Sequence, residues 1–289
     1  MPELPEVEVV KRSLNKKIQN LIIKSIKLNT TKLRYRINTK HIKKIIGLKL
    51  IKILRRSKFL IFIFEKNIIM LVHLGMTGKF FFTNNKNKKY KTSFYYELNE
   101  RKDEKHNRII FKFSRGQKLI YNDIRKFGFI KILNKQELHR SLHLKSLGPE
   151  PFEKKFNFKY FKDFLAKRKR MIKDILMDQR FVSGLGNIYA NEVLFFSKIK
   201  PMKKADSIQD YEIKRVIFHT KRILKIAISF GGSSLKDFSS SDGKKGRFQQ
   251  YFSVYGKSGE ICSNKNCNKR IRKIVIGGRA SFYCSRCQK

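Results

Sequence analysis

The chain has 289 residues, of which 68 are Lys or Arg and 22 are Asp or Glu, so its formal net charge is +46. This excess of cations indicates a polyanionic partner, most commonly nucleic acid. Abundant Lys, Ile, Asn and Phe are also typical of A/T-rich codon usage, so the sign of the charge is more informative than its size. We expect a cytosolic protein, because no apolar run reaches the ~18 residues of a membrane span and acidic residues at the start exclude a signal peptide.

The first eight residues, Met1 to Glu8, contain a candidate nucleophile. If Met1 is removed, the chain begins with the secondary amine of Pro2, and an α-amine with a pKa of roughly 7.7–8.0 is partly unprotonated at neutral pH. The adduct of this amine with an aldehyde is a cationic iminium, which acidifies the neighbouring carbon. Glu3 is placed to move protons at the same centre.

The same stretch is also typical of an ordinary helix start. Pro5 stands at a first helical position, carboxylates lie near the positive end of the helix dipole, and apolar residues follow at helical spacing. We expect both features, a helix from Pro5 onward and a Pro2-Glu3 pair at its N-terminus. The apolar residues of this helix are Val7, Val10, Leu14 and Ile18.

Short β-rich runs separated by polar turns follow this helix. Many closely spaced strands predict a two-layer sandwich or a flattened barrel. The runs are 21–28, 48–54, 58–64, 68–72, 93–98, 109–113, 118–121 and 127–133.

The pattern changes at residues 147–151, where a glycine and two prolines predict a stiff linker. Helical periodicity follows in four segments. A Gly- and Ser-rich stretch, 231–246, is predicted to lack regular structure. The helical segments are 160–168, 170–177, 188–196 and 208–229.

The four cysteines lie together near the C-terminus, as Cys262-x4-Cys267 and Cys284-x2-Cys287. In a cytosolic protein, two such knuckles at the ends of a hairpin predict one tetrahedral Zn²⁺ site rather than disulfides. Four ligands close the site, so the metal is structural. Its binding supplies folding energy to a tail too short for a core of its own.

Three further segments contain candidate nucleic-acid contacts, each with a purely structural alternative. The glycines before Asn187 would expose backbone N–H groups to a phosphate, or form an ordinary turn between helices. Arg55, Arg56 and Lys58 precede the most apolar strand, and one of these cations would bind a phosphate, or the three form a strand-edge charge cluster. Met76, Arg125 and Phe127 lie in turns and would unstack a base, although Met76 and Phe127 are by composition more typical of a core.

Taken together, these segments resemble the formamidopyrimidine-DNA glycosylase family, which includes the MutM-type 8-oxoguanine DNA glycosylases. The resemblance runs essentially end to end, and the joint order of its motifs is very specific. The motifs are Pro2-Glu3-Leu4-Pro5-Glu6-Val7-Glu8, Ser57-Lys58-Phe59-Leu60, His73-Leu74-Gly75-Met76-Thr77-Gly78, Gly184-Leu185-Gly186-Asn187-Ile188-Tyr189-Ala190 and the cysteine tail.

The resemblance implies an α+β fold with an N-terminal β-sandwich, a helical helix-two-turn-helix domain and a C-terminal zinc-ribbon finger. It implies a catalytic domain with its leading helix at 1–133, a hinge linker at 134–151, a DNA-binding domain with a lesion-capping loop at 152–255, and the finger at 256–289. DNA would lie in a basic cleft between the domains. We expect a monomer with one structural Zn²⁺.

The resemblance further implies a bifunctional DNA glycosylase and AP lyase of base excision repair, acting on double-stranded DNA that contains oxidised purines. Pro2 is then the nucleophile at C1′, Glu3 moves the protons, and β- and δ-elimination cut the strand. Arg125 would face the orphaned cytosine. The implied catalytic residues are Pro2, Glu3, Lys58 and Arg279. The implied DNA contacts are Lys58, Met76, His106, Arg125, Phe127, Lys169, Asn187, Lys236 and Arg279.

The sequence departs from the family pattern at three positions, and two other functions stay open. The first knuckle has four intervening residues instead of the usual two, Ile124 replaces a proline, and Lys126 replaces an arginine. One alternative is an endonuclease VIII-like glycosylase for oxidised pyrimidines, a branch that has glycine where Leu4 stands. The other is a catalytically silent zinc-ribbon DNA-binding protein, which the charge alone would permit.

Overall fold

The computed structural model describes residues 1–83, 89–91, 104–233 and 247–289. No helix within these ranges combines the length and the apolar composition that a membrane span requires. The helices are α1 (Leu4–Ile18), α2 (Thr39–Lys43), α3 (Lys135–Arg140), α4 (Leu142–Lys145), α5 (Phe158–Leu165), α6 (Ile172–Met177), α7 (Asn187–Phe196) and α8 (Asp210–Ser229). The strands are β1 (Ile23–Leu28), β2 (Leu50–Arg56), β3 (Phe59–Phe64), β4 (Ile68–His73), β5 (Lys79–Thr83), β6 (Lys89–Lys91), β7 (Asn107–Phe113), β8 (Lys118–Asn122), β9 (Phe129–Asn134), β10 (Ile271–Ile276) and β11 (Arg279–Cys284).

The chain forms two compact units. The N-terminal unit contains Met1–Lys145 together with Phe230–Gln249, and the C-terminal unit contains Ser146–Ser229 together with Gln250–Lys289. The segment 134–145, within the stretch expected to be a linker, contains the two short helices α3 and α4.

Helix α1 packs as its sequence predicts and begins at Leu4, one residue before the predicted start at Pro5. Val7, Val10, Leu14 and Ile18 are at most 1% exposed and lie in the core of the N-terminal unit. The last turn carries two lysines, which interact favourably with the negative end of the helix dipole. Burial of this apolar stripe fixes the helix, and with it the position of the two residues that precede it.

The N-terminal unit contains two antiparallel sheets that share one core. The five-stranded sheet has the order β1-β7-β8-β5-β6, and the four-stranded sheet has the order β2-β3-β4-β9. Apolar side chains from both sheets meet in a single cluster, so the predicted sandwich is confirmed. The predicted run 93–98 lies outside the described residues.

The outer face of the four-stranded sheet has its own apolar cluster. Ile61, Ile69, Leu71 and Phe129 are buried there, and Leu138 and Leu144 from α3 and α4 pack against them. The sequence patterns predict neither α3 and α4 nor strand β5. The helices are too short for a clear period, and all five residues of β5 are buried, so the run shows no alternation.

In the C-terminal unit, helices α5 to α8 correspond to the four predicted helical segments. The β10–β11 hairpin packs on this helical layer through buried polar contacts. Lys173 of α6 is fully buried and donates to the Ala280 carbonyl at 3.0 Å and to Ser281 Oγ at 2.6 Å. The Asn191 side chain of α7 accepts from the Phe282 N–H at 2.7 Å.

A buried carboxylate fixes the chain where it enters the cysteine-bearing segment. Glu192 of α7 accepts backbone hydrogen bonds from Ser253, Val254 and Tyr255 at 2.8–3.0 Å. Burial raises the pKa of Glu192, and the three N–H donors offset only part of that rise.

Candidate functional site

Pro2 and Glu3 immediately precede α1, as the sequence predicts. Met1 is 36% exposed, whereas Pro2 is buried and Glu3 is 3% exposed. The Glu3 backbone N–H donates to Glu6 Oε2 at 2.9 Å, which fixes the chain direction at the helix start. The dipeptide is therefore held by a helix that is itself anchored in the core.

Glu6 also holds a segment that is distant in the sequence. Its Oε1 accepts from Ser233 N at 2.8 Å and from Ser233 Oγ at 3.0 Å. A Cβ on Gly232, whose φ is +81°, would lie 3.0 Å from the same Oε1, so the backbone approach requires glycine. Lys236 and most of the capping loop that the resemblance implies at residues 239–249 lie outside the described residues.

Lys58 lies in the two-residue connection between β2 and β3. Ser57 has a φ of +55°, and both residues of the connection are buried. Arg55 links this turn to α1, since its Nη1 donates to the Ser57 carbonyl at 3.0 Å and its Nε donates to Glu8 Oε2 at 2.9 Å. Burial alone would raise the pKa of Glu8. Hydrogen bonds from Lys11, Arg12 and Arg55 together lower this pKa by a larger amount, so the net shift is downward.

His73 lies close to Lys58, in a row of rings across the four-stranded sheet. It pairs in register with Phe59 on β3 and with Phe129 on β9. Burial, assisted by the positive charges of Lys58 and Arg34, lowers the pKa of His73 to about 4. Its Nδ1 accepts the Gly75 N–H at 3.1 Å and so holds the turn that carries Met76.

Met76, Arg125 and Phe127 form one exposed group on the N-terminal unit. Arg125 Nη1 lies 3.1 Å from Met76 Sδ, and its guanidinium lies 4.4 Å from the centre of the Phe127 ring. Met76 is 41% and Phe127 is 43% exposed, so neither belongs to the core. An arginine between two apolar side chains on adjacent turns can present all three to one ligand surface.

Asp123 lies beneath this group and is fully buried. Its Oδ1 accepts from Thr77 Oγ1 at 2.5 Å, and its Oδ2 accepts from Gly128 N at 2.8 Å and from Tyr121 Oη at 3.3 Å. Thr77 Oγ1 in turn accepts the Arg125 N–H at 3.0 Å.

His106 adjoins the same network. Its carbonyl accepts the Asp123 N–H at 3.1 Å, and its Nδ1 lies 3.1 Å from Arg108 Nη2. Arg108 Nε donates to the Asp123 carbonyl at 2.8 Å. His106 is therefore close to the turn that carries Arg125.

In the C-terminal unit, Asn187 and Arg279 lie close together. Asn187 is the first residue of α7 and donates from Nδ2 to the carbonyl of Ala280, the neighbour of Arg279, at 3.0 Å. Arg279 is exposed at the start of β11. Lys169 is exposed in the connection between α5 and α6, and no described contact joins it to this pair.

The four cysteines fit a tetrahedral metal site. Cys262 Sγ lies 3.8 Å from Cys287 Sγ, Cys267 Sγ lies 3.6 Å from Cys284 Sγ, and all four atoms are within 4.8 Å of one another. Tetrahedral thiolates at a Zn–S distance of about 2.3 Å are about 3.8 Å apart, so the site accommodates zinc with little movement. The longer first knuckle does not separate the ligands.

Sequence reasoning assigned no role to several residues that organise these groups. Glu6 and Thr77 appeared there only within motifs, and Asp123 was not singled out. Asp123 could have been found from its place between a buried strand and a turn ending in Gly128, since a carboxylate there has backbone N–H groups within reach. The contact of Glu6 with Ser233 has no local signal.

The chain matches three family descriptions in order along its length. Residues 1–130 match the formamidopyrimidine-DNA glycosylase N-terminal domain, and residues 147–239 match the formamidopyrimidine-DNA glycosylase H2TH domain. Residues 265–289 match a zinc finger found in FPG and IleRS. The first two descriptions cover the helix–sandwich and helical regions, and the third covers three of the four cysteines, Cys267, Cys284 and Cys287.

Similar proteins and structures cover the whole chain. A formamidopyrimidine-DNA glycosylase of Rickettsia massiliae is 40% identical over 288 residues, which is 100% of this chain and 97% of that protein. One from Roseobacter denitrificans is 35% identical over 100% of both chains. A crystal structure of a Lactococcus lactis FPG mutant with Fapy-dG-containing DNA superposes with a TM-score of 0.85 at 35% identity over 100% of both chains. A complex of Lactococcus lactis Fpg with abasic-site DNA gives a TM-score of 0.84 at 34% identity over 99% of both chains. The chain belongs to the formamidopyrimidine-DNA glycosylase family.

Proposed function

We propose that this chain is a bifunctional DNA glycosylase and AP lyase of base excision repair that removes oxidised purines from duplex DNA. The glycosylase name of its relatives and the Fapy-dG and abasic DNA in the Lactococcus lactis structures support this substrate class. Within the chain, the observation that carries the proposal is the Pro2-Glu3 pair, held at the head of α1 by Glu6.

Removal of Met1 would convert the Pro2 nitrogen from an amide into a secondary amine. This amine would attack C1′, the glycosidic bond would break, and the base would leave with its bonding electrons and take up a proton equivalent to the one that the proline nitrogen releases. Glu3 would then protonate O4′ as the sugar ring opens to an iminium. Loss of a proton from C2′ would expel the 3′-phosphate, and a second elimination would expel the 5′-phosphate.

The remaining site residues are proposed to bind and distort the duplex. Lys58, Asn187 and Arg279 would hold phosphates near the damaged nucleotide, with Lys58 and Arg279 also supporting catalysis. Met76, Arg125 and Phe127 would fill the space left by the extruded base, an arrangement that their contiguity and exposure support. His106, Lys169 and Lys236 would add further backbone contacts.

Zinc bound by the four cysteines would stabilise the β10–β11 hairpin that presents Arg279. The close approach of the four sulfur atoms supports this role. Four protein ligands would leave no open position, so the ion would take no part in the chemistry. We further propose that the protein acts as a monomer in the bacterial cytoplasm, near the nucleoid.

Borohydride reduction tests the proposed intermediate. The protein should become covalently attached to a duplex containing 8-oxoguanine opposite cytosine, because reduction converts the iminium into a stable amine. Glu3→Gln should lose base excision by about 10²- to 10⁴-fold. Glu260→Gln, which alters an exposed carboxylate, should excise at the wild-type rate.

Two outcomes would support the alternatives instead. Tight duplex binding without any trapped adduct would indicate a silent DNA-binding protein. Faster excision of thymine glycol than of 8-oxoguanine would indicate the endonuclease VIII-like activity. Intact mass should show a chain without Met1, and a fraction that retains Met1 should form no adduct.

A further inference from the structure

We infer that Asp123, acting through Thr77, is a positioning residue that fixes the two turns carrying Met76, Arg125 and Phe127. This inference rests on the proposed function, in which that group enters the duplex. Asp123 does not reach the exposed surface itself. It acts by setting the distance and orientation between two turns that are separate in the sequence.

The Asp123 carboxylate has one oxygen directed to each turn. Oδ1 accepts from Thr77, the residue after Met76, and Oδ2 accepts from the N–H of Gly128, the residue after Phe127. Tyr121 Oη donates to Oδ2 as well. Because the carboxylate is fully buried, no water is available to replace a donor that it loses.

Thr77 extends the connection to Arg125. Its hydroxyl donates to Asp123 and accepts the Arg125 N–H at 3.0 Å, so one side chain joins the carboxylate to the backbone of the arginine. Valine at this position would keep the shape and lose both hydrogen bonds. Serine would keep both hydrogen bonds.

The backbones of the two turns are in direct contact around this network. A Cβ on Gly75 would lie 2.5 Å from Gly128 N and from the Phe127 carbonyl carbon. A Cβ on Gly128 would lie 1.8 Å from Tyr121 Oη. The glycines permit the approach, and the Asp123 hydrogen bonds hold it.

The turn at Ile124 depends on the hydrogen bonds around Asp123 more than it would with a proline at that position. Proline fixes its own φ, whereas Ile124 leaves that angle free. The described hydrogen bonds that hold the turn include those of Thr77, Gly128 and Arg108, and the bond from the Asp123 N–H to the His106 carbonyl. Arg125 can keep a single orientation against Met76 because these bonds replace the missing ring constraint.

The methyl resonance of Met76 reports this positioning in the protein alone. The chain has six methionines, and Met76→Leu identifies the signal. In ¹³C-methyl-labelled protein, Thr77→Val should shift and broaden the Met76 signal, whereas Thr77→Ser should leave it close to wild type. An unchanged signal in Thr77→Val, or equal changes in both variants, would overturn the inference.

Kinetics give a second, independent readout. With 2-aminopurine next to the lesion, Thr77→Val should slow the insertion phase and base excision by about 10- to 100-fold, and Thr77→Ser should restore both. Trapping on single-stranded abasic DNA, which has no orphaned base to replace, should be unchanged in Thr77→Val. If Thr77→Val lost all of these activities together with its thermal stability, the role of Thr77 would be merely structural.

The two proposals fail in different ways. A wild-type protein that forms no borohydride adduct would contradict the proposed function, and the methyl spectra would still decide whether Asp123 and Thr77 position Met76. A wild-type protein that is fully active, with Thr77→Val indistinguishable from it, would contradict the positioning inference alone. Asp123→Asn serves as a second variant, because its amide nitrogen would face at least one of the groups that donate hydrogen bonds to Asp123.

Discussion

At the residue scale, the protonation of single side chains is set by what surrounds them. His73 is the clearest case, because burial and the cations Lys58 and Arg34 all disfavour its charged form. Its Nδ1 must carry a lone pair to accept the Gly75 N–H. A neutral His73 is therefore required for the geometry of the turn that carries Met76.

The titration of His73 should follow from this environment. In the folded protein its imidazole should titrate at a pH of about 4, whereas in the unfolded chain it titrates at about 6.5. Between these values the unfolded chain binds a proton that the folded chain does not, so stability should fall as the pH is lowered through this window. NMR titration of the ring protons measures the pKa.

A variant separates this contribution from other acid effects. His73→Gln should flatten the dependence of melting temperature on pH between about 4 and 6.5. His139→Gln is a matched control on the exposed part of α3 and should leave the wild-type dependence in place. A His73 pKa close to that of a free imidazole would contradict the buried placement.

At the scale of elements, several contacts that hold strands and helices depend on one carboxylate facing many backbone donors. Glu192 accepts three N–H groups from residues 253–255, and Glu6 accepts from Glu3 and Ser233. Where the chain has no regular secondary structure, such a carboxylate accepts the backbone N–H hydrogen bonds that a strand or helix partner would otherwise accept. Replacing the carboxylate by its amide therefore removes one acceptor oxygen, and water cannot replace it because the site is buried.

Glu192→Gln should destabilise the C-terminal unit. The amide has one acceptor oxygen, so at least one of the three N–H donors would face an NH₂ group, at a cost of about 1–3 kcal/mol. Thermal unfolding should show a lower melting temperature than wild type. Glu260→Gln should melt like wild type, and equal melting of both variants would show that the three contacts contribute little.

Local patterns predicted the elements whose partners are close in the sequence. Helix α1 followed from the spacing of Val7, Val10, Leu14 and Ile18, and the metal ligands followed from the intervals between cysteines. The contact between Thr77 and Asp123 spans 46 residues, and that between Glu6 and Ser233 spans 227. No periodicity encodes such pairs, because the fold alone brings them together.

At the scale of the whole molecule, the net charge of +46 is distributed over both units. Exposed cations occur in the Arg125 turn of one unit and at Arg279 and Lys169 of the other. The functional division at residues 133, 151 and 255 is a proposal that a truncation series can examine. The charge itself has a direct consequence for affinity.

Binding to undamaged duplex should weaken steeply with salt. Each phosphate neutralised by a lysine or arginine releases bound counterions, so six to ten contacts should lower affinity by about 10³- to 10⁵-fold between about 50 and 200 mM salt. Fluorescence anisotropy across this range measures the slope. An affinity that is flat with salt would contradict a backbone-binding mode.

The first cysteine knuckle shows that ligand geometry does not depend on a fixed interval in the chain. The strand register pairs Ile271 with Cys284, and this pairing brings the second knuckle to the first although four residues, not two, separate Cys262 and Cys267. Genome searches that demand two residues between the first cysteines would overlook fingers of this kind. A search pattern based on the paired strands, with a variable loop, would recover them.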